Sequence, residues 1–284
     1  MTNTEARRRR RRLSAALSVC GALLAGCSGA SDGDGRSRPE GTGASASGSA
    51  TAAVAASPQS GEPGAGAADA RFTADPARLP GNRSAALELL RAVVAGPDGY
   101  GPGYERRTPY ESDPADRPVL GTDCVWRQEA LPGDVLGSLT RYSRLPAADG
   151  RGEVRTAATV TVHRTAAQAD WEIADTLEQA LRCPDQQLRA TERISGLNSV
   201  GSGYGSNGNT SADDYLTEIG TYADPALGAK ATHYVWSQAR LGPVTLAVAV
   251  QGGAGYQLND LLVIPARAIA TMETKVRTRL GARR

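Results

Sequence analysis

Val244-Thr245-Leu246-Ala247-Val248-Ala249-Val250 is the cleanest alternation in the chain, with a branched apolar residue at every second position. A period of two marks a β-strand, because successive side chains leave on opposite faces. Gly242-Pro243 just before it is a hairpin signal, so residues 229–240 are predicted to be its antiparallel neighbour. Residues 154–163 repeat the pattern, with Val160 and Val162 on one face and Thr159 and Thr161 on the other. Residues 135–145 alternate less regularly, with Leu139, Tyr142 and Leu145 as inward candidates. Shorter strand signals lie at 122–129, around Cys124-Val125-Trp126, at 188–194 and at 215–222.

Three helices accompany these strands. The first follows Asn82 or Ser84, either of which can cap it; Leu87, Leu90 and Val94 share a face, and Gly96-Pro97 stops it. The second starts at Thr165, repeats Trp171, Ala174, Leu177 and Leu181 at helical spacing, and stops at Cys183-Pro184. The third covers about 259–280, with Leu262, Ala266, Ile269, Met272 and Val276 near one face and a kink or a later start expected at Pro265. Strands followed by a helix, twice over, predict an α+β domain: an antiparallel sheet of about six strands covered by helices on one face. Trp126, Trp171 and Trp236 fall on regular elements and are expected in its core. Residues 97–109 and 196–213 read as Gly-rich loops.

The N-terminus carries an address. Six arginines (Arg7 to Arg12) precede an apolar run of about 13 residues, too short for a membrane-spanning helix but suited to an export signal. The run closes on Leu24-Ala25-Gly26-Cys27, which resembles the lipobox of bacterial lipoproteins. The resemblance implies a diacylglycerol thioether on Cys27, cleavage between Gly26 and Cys27, and an anchor on the outer face of the cell membrane. It divides the chain into a signal peptide (1–26), a lipidated Cys27 with its tether (27–70) and one extracytoplasmic domain (71–284). The tether is Ala, Gly, Ser, Thr and Pro with scattered charges, and Val54 is its one sizeable apolar side chain, a composition that reads as disordered. About 43 such residues reach roughly 35–40 Å.

Losing residues 1–26 removes six arginines and Glu5, which takes the formal net charge from +2 to about −3. No basic stripe remains, so nucleic acid is not an expected partner. Of four cysteines, Cys20 leaves with the signal and Cys27 takes the lipid, which leaves Cys124 and Cys183 as a disulfide pair, the alternative being two separately buried thiols. No metal or other cofactor is expected: the two histidines, His163 and His233, sit at no ligand spacing from a cysteine or from each other.

Motifs for catalysis are weak. The Gly-x-Ser-x-Gly match at 29–33 falls in the tether, where no strand-turn-helix can form. His163, at a strand end beside a helix start, is a candidate general base, with an ordinary structural histidine as the alternative. Asp213-Asp214 reads as a solvated pair, and the glycines of 201–208 precede no helix that would make a phosphate cradle. Tyr100, Tyr104 and Tyr204 stand in Gly-rich loops, where tyrosine offers contact area at low entropic cost, and are candidate ligand contacts.

Cys-Val-Trp at 124–126, the strand leading into an Ala-rich helix with Trp171 and Cys183, and the closing strand pairs and helix resemble the PknH-like extracellular sensor domains of actinobacteria over residues 79–280. The resemblance implies an antiparallel sheet with helices and a cleft that senses an unidentified ligand; those domains carry two disulfides where this chain has cysteines for one. The expected function is a non-catalytic binding or sensing lipoprotein, whose partner is a small molecule, a lipid or an envelope protein. The alternatives are an envelope hydrolase or transferase, or an adaptor for another envelope protein. Replacing Cys27 with alanine should yield a precursor that takes up no label from radioactive palmitate; label retained in that variant refutes the lipidation site.

Overall fold

The computed structural model describes residues 71–228 and 230–282. The expected signal peptide, the expected lipidation site Cys27 and the expected tether lie outside the described residues. Helix α1 (Arg83–Val93) is followed by β1 (Glu105–Glu111), β2 (Asp116–Leu120), β3 (Trp126–Ala130), β4 (Val135–Leu145) and β5 (Val154–His163). Helix α2 (Ala166–Arg182) leads to β6 (Gln186–Gln187), β7 (Arg193–Gly203), β8 (Asp214–Ala223), β9 (Thr232–Leu241), β10 (Val244–Gln251) and helix α3 (Leu258–Leu280).

The fold is α+β. Eight strands form one antiparallel sheet in the order β1-β4-β5-β10-β9-β8-β7-β6, and β2 pairs with β3 as a separate hairpin. The expectation of about six strands was therefore low. The strands it missed lie where alternation is not required. β1, with Glu105, Arg106, Arg107 and Pro109, is an edge strand, and charges and proline there deter further pairing. β7 runs through Gly201 and Gly203, inside the stretch whose glycines read as loop.

The central strands explain the layering. Val244, Leu246, Val248 and Val250 of β10 pair with Val162, Val160, Ala158 and Thr156 of β5, and these share a face with Leu139 of β4 and Val235, Ala239 and Leu241 of β9. That face is buried under α1 and α3, and each large side chain removed from water there contributes about 1.5–3 kcal/mol. Asn82 caps α1 by accepting from the Ala85 N–H (2.9 Å). α3 continues through Pro265, which packs into the core with Leu261, Ile269, Met272 and Val276.

The opposite face carries Thr159, Thr161 and His163 of β5, Ser138 and Thr140 of β4, Thr245 of β10 and Gln238 of β9. Helix α2 crosses it, so helices cover both faces of the sheet and not the one face expected, and the inward stripe of α2 needs a correction as well. Trp171 and Leu181, expected inward, are 74% and 86% exposed. The helix turns Ala169, Glu172, Ile173, Thr176 and Ala180 towards the sheet, a stripe rotated by about one position, because the surface it covers is polar. Trp126 and Trp236 are half-buried rather than core residues.

Cys124 and Cys183 form the expected disulfide, with Cα atoms 5.5 Å apart. Cys124 is not in a strand: it closes a turn, its N–H donating to the Gly121 carbonyl (2.9 Å), just ahead of β3. The bond ties this turn to the C-terminus of α2 across 59 residues. Among the described residues no helix is long and apolar enough to cross a membrane. Changing both cysteines to serine is expected to lower the unfolding free energy by about 4 kcal/mol on chain-entropy grounds. Urea denaturation checks this, and a loss below about 1 kcal/mol would show that the loop is already restrained without the bond.

Candidate functional site

The polar face of the sheet, the sheetward side of α2 and the β2–β3 hairpin enclose a cavity of about 70 Å³. Its organising group is Glu172, seven residues into α2, a helix that begins where the Thr165 hydroxyl accepts from the Gln168 N–H (3.2 Å). Oε1 of Glu172 accepts from Nε2 of Gln238 and from the Thr245 hydroxyl, both at 2.8 Å. Oε2 lies 3.0 Å from Nε2 of His163 and 3.8 Å from Nη1 of Arg117 on β2. Burial opposes the charge on Glu172, but His163, Thr245 and Arg117 together outweigh it and hold the carboxyl below the ordinary glutamate value. Beside this hub, hydroxyls pair across β4 and β5: Ser138 with Thr161 at 3.0 Å, and Thr140 with Thr159 at 2.8 Å.

Three buried polar atoms of the cavity wall have no hydrogen-bond partner among the described residues: Nε of Arg117, Nε1 of Trp236 and Oε1 of Gln238. Buried donors and acceptors are normally satisfied, and each one left unpaired costs about 1–3 kcal/mol. Trp126 forms part of the same wall. Its indole N–H donates to Oε1 of Gln186 (2.7 Å), and Nε2 of Gln186 donates to the Cys183 carbonyl (3.0 Å). The disulfide end of α2 thereby positions the aromatic wall of the cavity.

Of the residues singled out in the sequence, His163 joins the site, although as a buried partner of Glu172 rather than a base open to substrate. It is 3% exposed, neither ring nitrogen makes an aligned hydrogen bond, and among the described residues no hydroxyl or thiol is hydrogen-bonded to it. The three candidate tyrosines do not converge. Tyr100 is buried in the α1/α3 core beside Tyr104, ring centroids 5.2 Å apart. Burial raises the phenol of Tyr100 and pushes that of Tyr104 up to about 12. Tyr204 lies past the end of β7, with the Arg71 guanidinium 5.8 Å from its ring centre. Asp213 and Asp214 are structural: Asp213 accepts from the Gly242 N–H of the β9–β10 turn (2.8 Å), and Asp214 accepts from Nε of Arg240 (2.6 Å). No group of three or more His, Cys, Asp or Glu residues suited to a metal ion occurs among the described residues.

Glu172, Arg117 and Gln238 escaped the sequence reading, and Trp236 was expected in the core. The available signal was Thr159, Thr161 and Thr245 on strands whose other face is apolar apart from Thr156, since hydroxyls in a covered sheet require polar partners. Fold and site together define an α+β domain with a polar cavity roofed by one helix. No protein-family profile, no curated protein and no solved structure matches the chain significantly.

On the same face, Glu218 of β8 stands opposite Trp236. Burial pushes its carboxyl up to about 7, with only the Ser199 hydroxyl pulling the other way. Between the ordinary glutamate value near 4.5 and about 7 the unfolded chain has released this proton while the folded chain keeps it. Stability supplied by protonated Glu218 is therefore complete below the lower value and is lost as pH rises through the upper one. A Glu218→Gln variant should match the parent near pH 4.5 and exceed it by up to about 3 kcal/mol at pH 8. Urea midpoints compared across that range test this; a constant difference between the two proteins refutes it.

Proposed function

We propose that this chain is a lipid-anchored extracytoplasmic binding protein, sensor-like and non-catalytic, whose ligand enters the cavity between α2 and the polar face of the sheet. The observation that carries the reading is the cavity itself, whose lining gathers Arg117, Trp126, Glu172, Trp236 and Gln238 between α2, the hairpin and the sheet. The Leu24-to-Cys27 motif supports the placement at the outer membrane face, and the single disulfide agrees with an oxidising compartment. The alternative of an envelope hydrolase or transferase has less to draw on, because His163 is buried against Glu172 and does not line the cavity. An adaptor role would rest on Trp171 and Leu181, which are exposed but ten residues apart on α2, and scattered apolar side chains are ordinary on a protein surface.

A binding protein purified from its own envelope should carry its ligand. Native mass spectrometry of the full-length chain is expected to show a small polar adduct that leaves on collisional activation. Returning the released fraction at about a hundredfold excess over Kd should stabilise the domain by about 2.7 kcal/mol, a rise in Tm on the order of 5–10 °C. Absence of both the adduct and the thermal shift overturns the reading.

A further inference from the structure

The eight-stranded sheet ends in two edges of different character. β1, at one end, carries Glu105, Arg106, Arg107 and Pro109, which deter a further strand. At the other end β6 covers β7 through only two residues, Gln186 opposite Ile194 and Gln187 opposite Arg193. The chain just before β6 occupies the next positions: the Leu197 N–H donates to the Pro184 carbonyl (2.9 Å) and the Gly196 N–H to Oδ1 of Asp185 (3.0 Å). From Asn198 to Gly203 no strand lies on the outer side of β7 among the described residues. That stretch, Asn-Ser-Val-Gly-Ser-Gly, has neither charge nor proline.

Two contacts give the direction of its backbone groups. The Leu197 N–H points outward, to Pro184, and the Tyr204 N–H points inward, to the carbonyl of Asp213 just ahead of β8 (3.0 Å). Alternation along a strand then turns Ser199, Gly201 and Gly203 outward and leaves Asn198, Val200 and Ser202 to the β8 ladder. Apolar side chains stand on both sides of this open edge. Leu177 of α2 lies 3.5 Å from where a Cβ on Gly201 would sit, and Leu181, one turn on, is 86% exposed. On the opposite face Val200 is 61% exposed, beside a hollow shared with Thr217 and Ile219 of β8.

A strand edge flanked by a helix is completed by another of the same kind. We propose that β7 pairs antiparallel with β7 of a second copy of this chain, about a twofold axis through Gly201 and normal to the sheet. Gly201 then exchanges two N–H···O bonds with its copy, and each Gly203 N–H donates to the Ser199 carbonyl across the axis. The operation keeps both α2 helices on one face, so that the rows of Leu177 and Leu181 meet, and sets the two Val200 side chains together on the other. Gly201 and Gly203 carry no side chain that would hold the rows apart. No like charges are opposed along the strand, and Glu178 and Arg182 beside Leu181 are already paired with each other (3.0 Å). A lone extended peptide would satisfy the edge and leave Leu181 in water. A strand edge by itself falls below the roughly 800 Å² per partner of a standard interface, so the α2 flank is needed and a micromolar equilibrium is the expected strength. The interface takes no residue of the cavity lining and stands apart from the binding role proposed above.

Sedimentation of the full-length chain in a large excess of detergent micelles tests the pairing, with amide hydrogen exchange followed at low and high protein concentration. The expected result is a monomer–dimer equilibrium in which the Ser199, Gly201 and Gly203 amides gain protection as concentration rises. Leu181→Lys and Val200→Lys, both at exposed positions, bring like charges together across the axis and should each weaken the dimer about tenfold or more. Gly201→Pro removes the N–H at the axis, spares the β8 ladder and should abolish the dimer while melting stays cooperative. Glu88→Lys, an equally exposed charge change on α1, should leave the equilibrium where it was. A chain that sediments as a monomer up to millimolar concentration overturns the proposal, and protection of the three amides in such a monomer assigns the edge to the chain's own residues before Arg71. A dimer that survives Leu181→Lys, Val200→Lys and Gly201→Pro unweakened overturns this interface.

Discussion

A strand at the middle of a covered sheet has no solvent on either side, and β10 is in that position, flanked by β5 and β9 with helices over both faces. Its even-numbered residues meet this constraint with hydrocarbon. Its odd-numbered residues place Thr245 among Thr161 and Arg240, where a hydroxyl must find a partner or be paid for in lost hydration. Thr159 and Thr161 are satisfied across β4 and β5. Thr245 is satisfied from above, by Glu172. The orientation of α2 follows: the helix must bring a carboxylate down to the sheet, so Trp171 and Leu181 turn outward and the stripe with Ala169, Glu172 and Ile173 turns in.

A buried carboxylate raises its own difficulty, since an unpaired charge inside a domain is costly. His163 at the end of β5, Gln238 on β9 and Arg117 on the β2–β3 hairpin converge on Glu172 and answer it. Gathering these groups leaves a space beside Gln238 and Arg117 that protein does not fill. The cavity is thus a consequence of how the polar face is neutralised. The disulfide contributes from the other end of α2: through Cys183 and Gln186 it sets the position of Trp126. Stability and the shape of the cavity are coupled through this contact, because loosening the C-terminus of α2 frees the aromatic wall.

Legibility in the sequence followed how strongly each element depends on its own pattern. β5, β9, β10 and the three helices announce themselves through period-two or helical repeats and caps such as Asn82 and Thr165. β1 and the glycine-bearing half of β7 do not, since an edge strand is held by one ladder and tolerates charge, proline or glycine. Tyr100 shows the same limit for side chains: a Gly/Pro loop predicts an exposed aromatic, but this loop folds back beneath α3 and buries it.

The residues by themselves determined the α+β class, the central strands, the helix boundaries and the pairing of Cys124 with Cys183, because these depend on local periodicity, capping and the count of available thiols. Only the tertiary structure decided which face of α2 turns inward, that Glu172, Arg117, Trp236 and Gln238 line one cavity, and that His163 lies against Glu172. These five come from four different elements, Trp236 and Gln238 sharing β9, and lie up to 121 residues apart between Arg117 and Gln238. No local pattern encodes a juxtaposition that arises only when strand pairing and the burial of one apolar face force the remaining polar groups together.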